Sequence, residues 1–115
     1  MKKLLVITAA IAVLAPIGAF AQERMSDARY LAANRCLAYS DLTALQGDGA
    51  DFAGLREAVQ VGGRERSITT QVRQDTRAIR ARATSATVEQ LRTRRDEACA
   101  SFANTGLVQL GASGS

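Results

Sequence analysis

The chain has 115 residues, fifteen basic against eleven acidic, with no histidine, no tryptophan and only 4% aromatic residues. Without histidine there is no Ser-His-Asp or Cys-His catalytic apparatus and no histidine-ligated zinc. The length fits one small domain, which buries a modest share of its surface and often needs a covalent or oligomeric aid.

The first twenty-one residues fall into three zones. Lys2 and Lys3 are positive, Leu4 to Leu14 is an almost unbroken apolar run, and Ala19-Phe20-Ala21 places small residues at the end. That pattern predicts a secretory signal peptide over residues 1–21, cleaved after Ala21. The apolar run is short against the ~20 residues of a spanning helix, and Pro16-Ile17-Gly18 interrupts it. No cysteine stands directly after it, which disfavours a lipid anchor. The expected destination is the bacterial periplasm or the exterior. Both lysines leave with this segment, so every basic residue of the remaining chain is arginine, thirteen against eleven acids.

A helical domain is expected over residues 22–104. Ser26-Asp27 offers an N-cap, where a side-chain oxygen accepts from an otherwise unpaired N–H of the first turn. Ala28, Leu31, Ala38, Leu42 and Leu45 recur at helical spacing, and Gly47-Asp48-Gly49 stops the pattern. Cys36 lies off this stripe, on a flank shared with Ala32, Tyr39 and Thr43, so the helix is expected to pack on two neighbours. Phe52, Leu55 and Val59 mark a shorter amphipathic piece before Gly62-Gly63. Beyond the glycines, Ile68, Val72, Ile79 and Ala86 share one face, with Asp75 an unexpected acid among them. The apolar face changes side near the glycine pair, which predicts a break there.

Thr87 and Gln90 have capping-box spacing, and Val88, Leu91, Ala98, Cys99 and Phe102 mark the buried side of a last helix. Arg92 and Asp96 are spaced to pair across one turn, while Arg94-Arg95 beside Asp96-Glu97 reads as a solvated face. Asn104-Thr105-Gly106 ends the helix. Residues 105–115 are expected to form a flexible C-terminal tail, in which Leu107, Val108 and Leu110 could fold back over the helix ends while Gly111 to Ser115 is expected to be disordered.

Cys36 and Cys99 are the only cysteines. In an exported chain an even count points to a disulfide, and no histidine is present to activate a thiolate. The bridge selects the architecture. With residues 51–85 as one straight helix, the cysteines would sit about eleven residues apart along it, or ~16 Å. Bridged Cα atoms lie ~5.5 Å apart. A break at Gly62-Gly63 resolves the conflict. The predicted fold is therefore all-α: a small disulfide-stapled bundle of three main helices plus a short connecting helix. The second and third main helices are expected as an antiparallel hairpin with the first alongside both.

The chemistry is mostly exclusion. Asp48 and Asp51 lack the further oxygen ligands of a calcium loop and read as turn and cap residues. Gly62-Gly63-Arg64 has neither a preceding strand nor the lysine of a phosphate-binding loop. No cofactor and no metal site is expected, and no catalysis. Arg64 to Arg95 holds nine arginines and three acids. Within it Arg66, Arg73, Arg77 and Arg80 fall inside an arc of about 60° and form a ridge, interrupted by Thr69 and Thr70. Such a ridge suits bidentate contact with carboxylate or phosphate. Nucleic-acid binding would want aromatic side chains interleaved with the basic ones, and that stretch has none.

The expected function is thus a non-catalytic binding or accessory protein of the bacterial cell envelope, engaging a protein partner through its helical surface. The alternatives are a small periplasmic stress chaperone, an inhibitor of an exported hydrolase, and a binder of anionic envelope lipid or lipopolysaccharide through the ridge.

Overall fold

The computed structural model describes residues 24–111. The expected signal segment, residues 1–21, and the end of the expected tail, residues 112–115, lie outside the described residues. Among the described residues four α-helices form: α1 (Asp27–Ser40), α2 (Ala53–Ala58), α3 (Arg66–Ala83) and α4 (Val88–Asn104), with one 3-10 turn at Thr43–Leu45. Among the described residues the only extended pairing is an isolated bridge between Asp51 and Gln109. The fold is a small all-α bundle. None of the described helices is long and apolar enough to cross a membrane.

Local chemistry sets the helix ends. Ser26 Oγ accepts from the Arg29 N–H and caps α1. Thr87 and Gln90 cap α4 reciprocally: Thr87 Oγ1 accepts from the Gln90 N–H, and Gln90 Oε1 accepts from the Thr87 N–H. The last turn of α4 closes as a Schellman motif, in which Leu107 N–H donates to Phe102 O and Gly106 N–H to Ala103 O. Gly106 supplies the left-handed backbone this needs, at φ 84°.

The chain breaks where the glycine pair predicts. α2 ends at Ala58, α3 starts at Arg66, and Gly62 turns the backbone at φ 79°. Helix α1, by contrast, is shorter than its apolar stripe implies. It stops at Ser40, whose Oγ donates back to Leu37 O. Gln46 Nε2 donates to the freed carbonyls of Ser40 and Leu42, so the helix end is satisfied without further turns. Leu42 and Leu45 are still buried, but beyond α1. Ala28, the other end of the stripe, is exposed.

The core has two parts. The first gathers Ala33, Cys36 and Leu37 of α1, Leu55 of α2, Cys99 and Phe102 of α4, and Val108. The second joins Ala38, Leu42 and Leu45 to Ile79 of α3 and Leu91 of α4. The Cys36–Cys99 disulfide lies in the first, with Cα atoms 5.0 Å apart. It closes a loop of 63 positions, and the chain-entropy estimate for such a loop is roughly 4 kcal/mol.

One expected packing does not form. Helix α1 packs along both α3 and α4, whereas α3 and α4 make little direct contact with each other. The apolar seam of α4 already meets α1, Leu55 and Val108, so little of it is left to face α3. Helix α1 is therefore the central element, and α3 is supported along one line. Of its residues only Ile79 is fully buried, while Ile68 and Val72 are half-buried.

The chain after α4, expected to be loose from residue 105, is packed as far as Leu110. Val108 is 2% exposed, and Leu107 and Leu110 lie against the first core cluster. Asp51 and Gln109 exchange backbone hydrogen bonds of 2.7 and 2.9 Å. Leu107, Val108 and Leu110, three apolar side chains in four positions, anchor this segment by folding back on the helix ends.

Candidate functional site

Most of the arginines fall into two sets, and that division locates the candidate site. The first set is tied into the fold by aspartates. Arg35 of α1 pairs with Asp75 of α3 at 3.5 Å, which accounts for the acid on the apolar face of α3. Gln71 holds the same carboxylate from within the helix, at 2.9 Å. Arg56 of α2 pairs with Asp41 at the end of α1, at 2.5 Å. Arg64 stacks over the Tyr30 ring, 4.3 Å from its centre, and pairs with Asp27 at 2.8 Å. Its side chain is only 2% exposed. Arg24 donates to the Gly63 carbonyl at 2.6 Å and so ties down the glycine turn.

Arg95 is the extreme case. It sits on the buried seam of α4 between Leu91 and Cys99 and is 1% exposed. Its guanidinium donates to the Asp48 carboxylate, its Nε donates to Asp96 at 3.0 Å, and it lies 5.9 Å from the centre of the Phe52 ring. Arg92 approaches the same Asp48 oxygen at 3.8 Å rather than pairing with Asp96 one turn on. Arg95 is thus buried, contrary to the solvated face its charged neighbours imply. The signal was present: Leu91, Arg95, Cys99 and Phe102 recur at spacings of four, four and three, the rhythm of a buried seam.

Asp48 is a turn residue, as expected, accepting from the Ala50 N–H at 3.2 Å, but it is also the counter-charge of Arg95. Burial on its own would raise its carboxyl pKa. The hydrogen bonds from Arg95 and the Ala50 N–H, together with the charges of Arg95 and Arg92, outweigh burial and hold it below the ordinary 3.8. Asp51 caps the start of α2 by accepting from the Ala53 N–H at 2.9 Å. No group of three histidine, cysteine, aspartate or glutamate side chains placed to hold a metal ion occurs among the described residues.

The second set is free of such ties. Arg66, Arg73, Arg77 and Arg80 are all exposed, and none forms an ion pair among the described residues. Taking α3 at 100° per residue, the middle of the ridge faces about 130° away from Ile79, the residue that anchors α3 to the core. The ridge therefore points outward and runs ~21 Å along the helix. Its interruption is also present: Thr69 and Thr70 are half-buried, and Thr69 Oγ1 turns back to the Arg66 carbonyl at 3.0 Å. At its C-terminal half, Arg73, Arg77 and Arg80 border an open depression with Val72 and Thr76. Cys36 and Cys99, by contrast, are buried in the bridge and present no thiol.

Three further arginines make no ion pair among the described residues and were not singled out from the sequence: Arg29 of α1, which stacks over the Phe102 ring at 4.5 Å, Arg82 of α3 and Arg94 of α4. Of these, Arg82 and Arg94 line one cavity with Tyr39, a meeting of three helices that linear spacing cannot reveal. Taken together, the candidate site is a single-sided helix bearing a row of uncommitted guanidinium groups. Compared with known proteins, the chain matches no family model, no curated protein and no solved structure.

Proposed function

We propose that the chain is a non-catalytic accessory protein of the bacterial cell envelope that engages an acidic protein surface through α3. The observation that carries this reading is the segregation of the arginines. Arg35, Arg56, Arg64 and Arg95 have aspartate partners from other segments of the fold, whereas the four on the outward ridge have none among the described residues. Four unpaired like charges on one helix face repel one another, by a few tenths of a kcal/mol for each adjacent pair. An acidic partner would relieve that repulsion and accept bidentate contacts. The ridge has no aromatic residue for base stacking, so an acidic protein fits better than nucleic acid. Export is supported by the three-zone N-terminus and by the disulfide, which persists in oxidising compartments.

The test uses the oxidised protein and its R73Q/R77Q/R80Q variant as baits in a periplasmic extract. A single acidic protein retained by the parent, lost by the variant and released by moderate salt would support the reading. Equal retention by both baits, or none by either, would refute it. Ridge-dependent binding to anionic phospholipid or lipopolysaccharide vesicles, with no protein captured, would replace the acidic protein with a membrane surface.

A second reading, the acid-stress chaperone, has its own supporting observation. The buried Arg95 is held by two carboxylates, Asp48 and the more exposed Asp96, and protonation of Asp48 would remove the more deeply buried of these two charges from a core rich in alanine and leucine.

A further inference from the structure

Between the end of α3 and the start of α4, over Tyr39 of α1, lies a cavity of about 220 Å³. Its floor is apolar. Ile79 and Leu91, which are 5% and 3% exposed, line it with Ala86. Its remaining lining is polar and cationic, from Arg82 on α3 and Arg94 on α4. Both arginines are exposed, and neither has an ion-pair partner among the described residues. Gln90 also lines the cavity. Its amide oxygen is engaged by the Thr87 N–H, and its amide nitrogen makes no hydrogen bond among the described residues. Arg82 lies about 170° round α3 from the middle of the ridge, so the cavity and the ridge are separate surfaces.

The combination narrows the ligand. Two guanidinium groups from different helices at one small cavity, with no carboxylate between them, favour a negative head group with several acceptor oxygens. An apolar floor gains nothing from an inorganic anion, which would leave it wet, but does gain from hydrocarbon laid against it. The volume is below the ~300–1,000 Å³ of sites for drug-sized molecules, so the occupant is small. We propose that this cavity binds a small amphipathic carboxylate. Its carboxylate lies between Arg82 and Arg94, and a short alkyl or aryl body covers Ile79, Ala86 and Leu91.

The probes are octanoate, its neutral counterpart octanol and the shorter butyrate, titrated into the oxidised protein. Binding is followed by calorimetry and by the methyl resonances of Ile79 and Leu91. Octanoate should shift both sets of methyls. Butyrate should bind at least about tenfold more weakly, having four fewer methylenes to place on the floor. R82Q and R94Q should each weaken octanoate by roughly fivefold, and R73Q on the ridge should leave it unchanged. Both test positions are exposed, and helical circular dichroism equal to that of the parent would confirm that each variant is folded. Octanol binding as tightly as octanoate would overturn the proposal. So would octanoate affinity indifferent to R82Q and R94Q, or methyl resonances unmoved at millimolar octanoate.

Discussion

Arg95 has the bulkiest of the fully buried side chains among the described residues, and it outranks Phe102 and Leu55. A buried guanidinium is tolerated only with its counter-charge in place, because removing one partner strands the other in a medium that solvates it poorly. Asp48→Ala should therefore cost about 3–5 kcal/mol, a large part of the whole stability of a small domain. Arg95→Met should cost less. The Asp48 side chain is 12% exposed against 1% for Arg95, so a freed carboxylate recovers some water. The double replacement D48A/R95M should recover most of the loss and fall within about 1–2 kcal/mol of the parent. Urea unfolding of all four proteins measures the coupling. Additive losses would mean that the pair is not held as a unit.

At the scale of the elements, the N-caps at Ser26 and Thr87 and the end of α4 near Gly106 were legible, because each rests on chemistry confined to a few neighbouring residues. The break at Gly62-Gly63 was legible for two independent reasons, the shift in apolar face and the closure distance of the disulfide. The end of α1 was not legible. It depends on Gln46 reaching back to Ser40 and Leu42 and on Arg56 reaching Asp41 and Ser40 across 15 and 16 positions. The two glycines of the break are also not equivalent. Gly62 has φ 79°, and a Cβ there would meet the Arg24 side chain at 2.7 Å, whereas one at Gly63 meets nothing within 4 Å. Gly62→Ala should thus destabilise by about 1–2 kcal/mol, from left-handed strain and the displaced Arg24. Gly63→Ala should be neutral or stabilise by up to about 1 kcal/mol by restricting the unfolded chain. Thermal unfolding of the two variants side by side distinguishes the glycines. Equal losses would contradict the turn as described.

For the whole molecule, composition and periodicity gave the class and the disulfide gave the stapling, but neither gave the order of helices in space. A turn of a few residues between α3 and α4 suggests a hairpin only if both helices keep an apolar face for each other. Helix α4 spends its seam on α1, Leu55 and Val108, and the result is an α1-centred bundle with α3 on its outer side. The ridge was visible because it needs only one helix and its spacing. The Arg82–Arg94 cavity and the Arg95–Asp48 pair were not, since each joins residues from separate segments.

That layout makes acid the most informative perturbation of the assembly. Asp48 has its carboxyl pKa held below 3.8 in the folded chain. Its contribution is therefore fully present above the unfolded value and is lost as pH falls through the lower, folded one. The parent should be more stable than Asp48→Asn at neutral pH, by an amount that stays constant down to about pH 4–5 and then shrinks. The two should converge once Asp48 is protonated, because a neutral carboxylic acid and a carboxamide serve Arg95 about equally poorly. Reduction of Cys36–Cys99 removes roughly 4 kcal/mol of loop restraint, so the acid transition of the reduced protein should begin at higher pH. Chemical denaturation from pH 7 to pH 2, in both redox states and with an apolar dye present, follows all of this at once. Dye binding that begins only in strong acid, and earlier in the reduced chain and in Asp48→Asn, would favour the acid-chaperone reading. Parallel pH profiles for the parent and Asp48→Asn would remove Asp48 as the acid-sensitive tie, leaving α3 and its ridge as the part of the molecule through which function is to be sought.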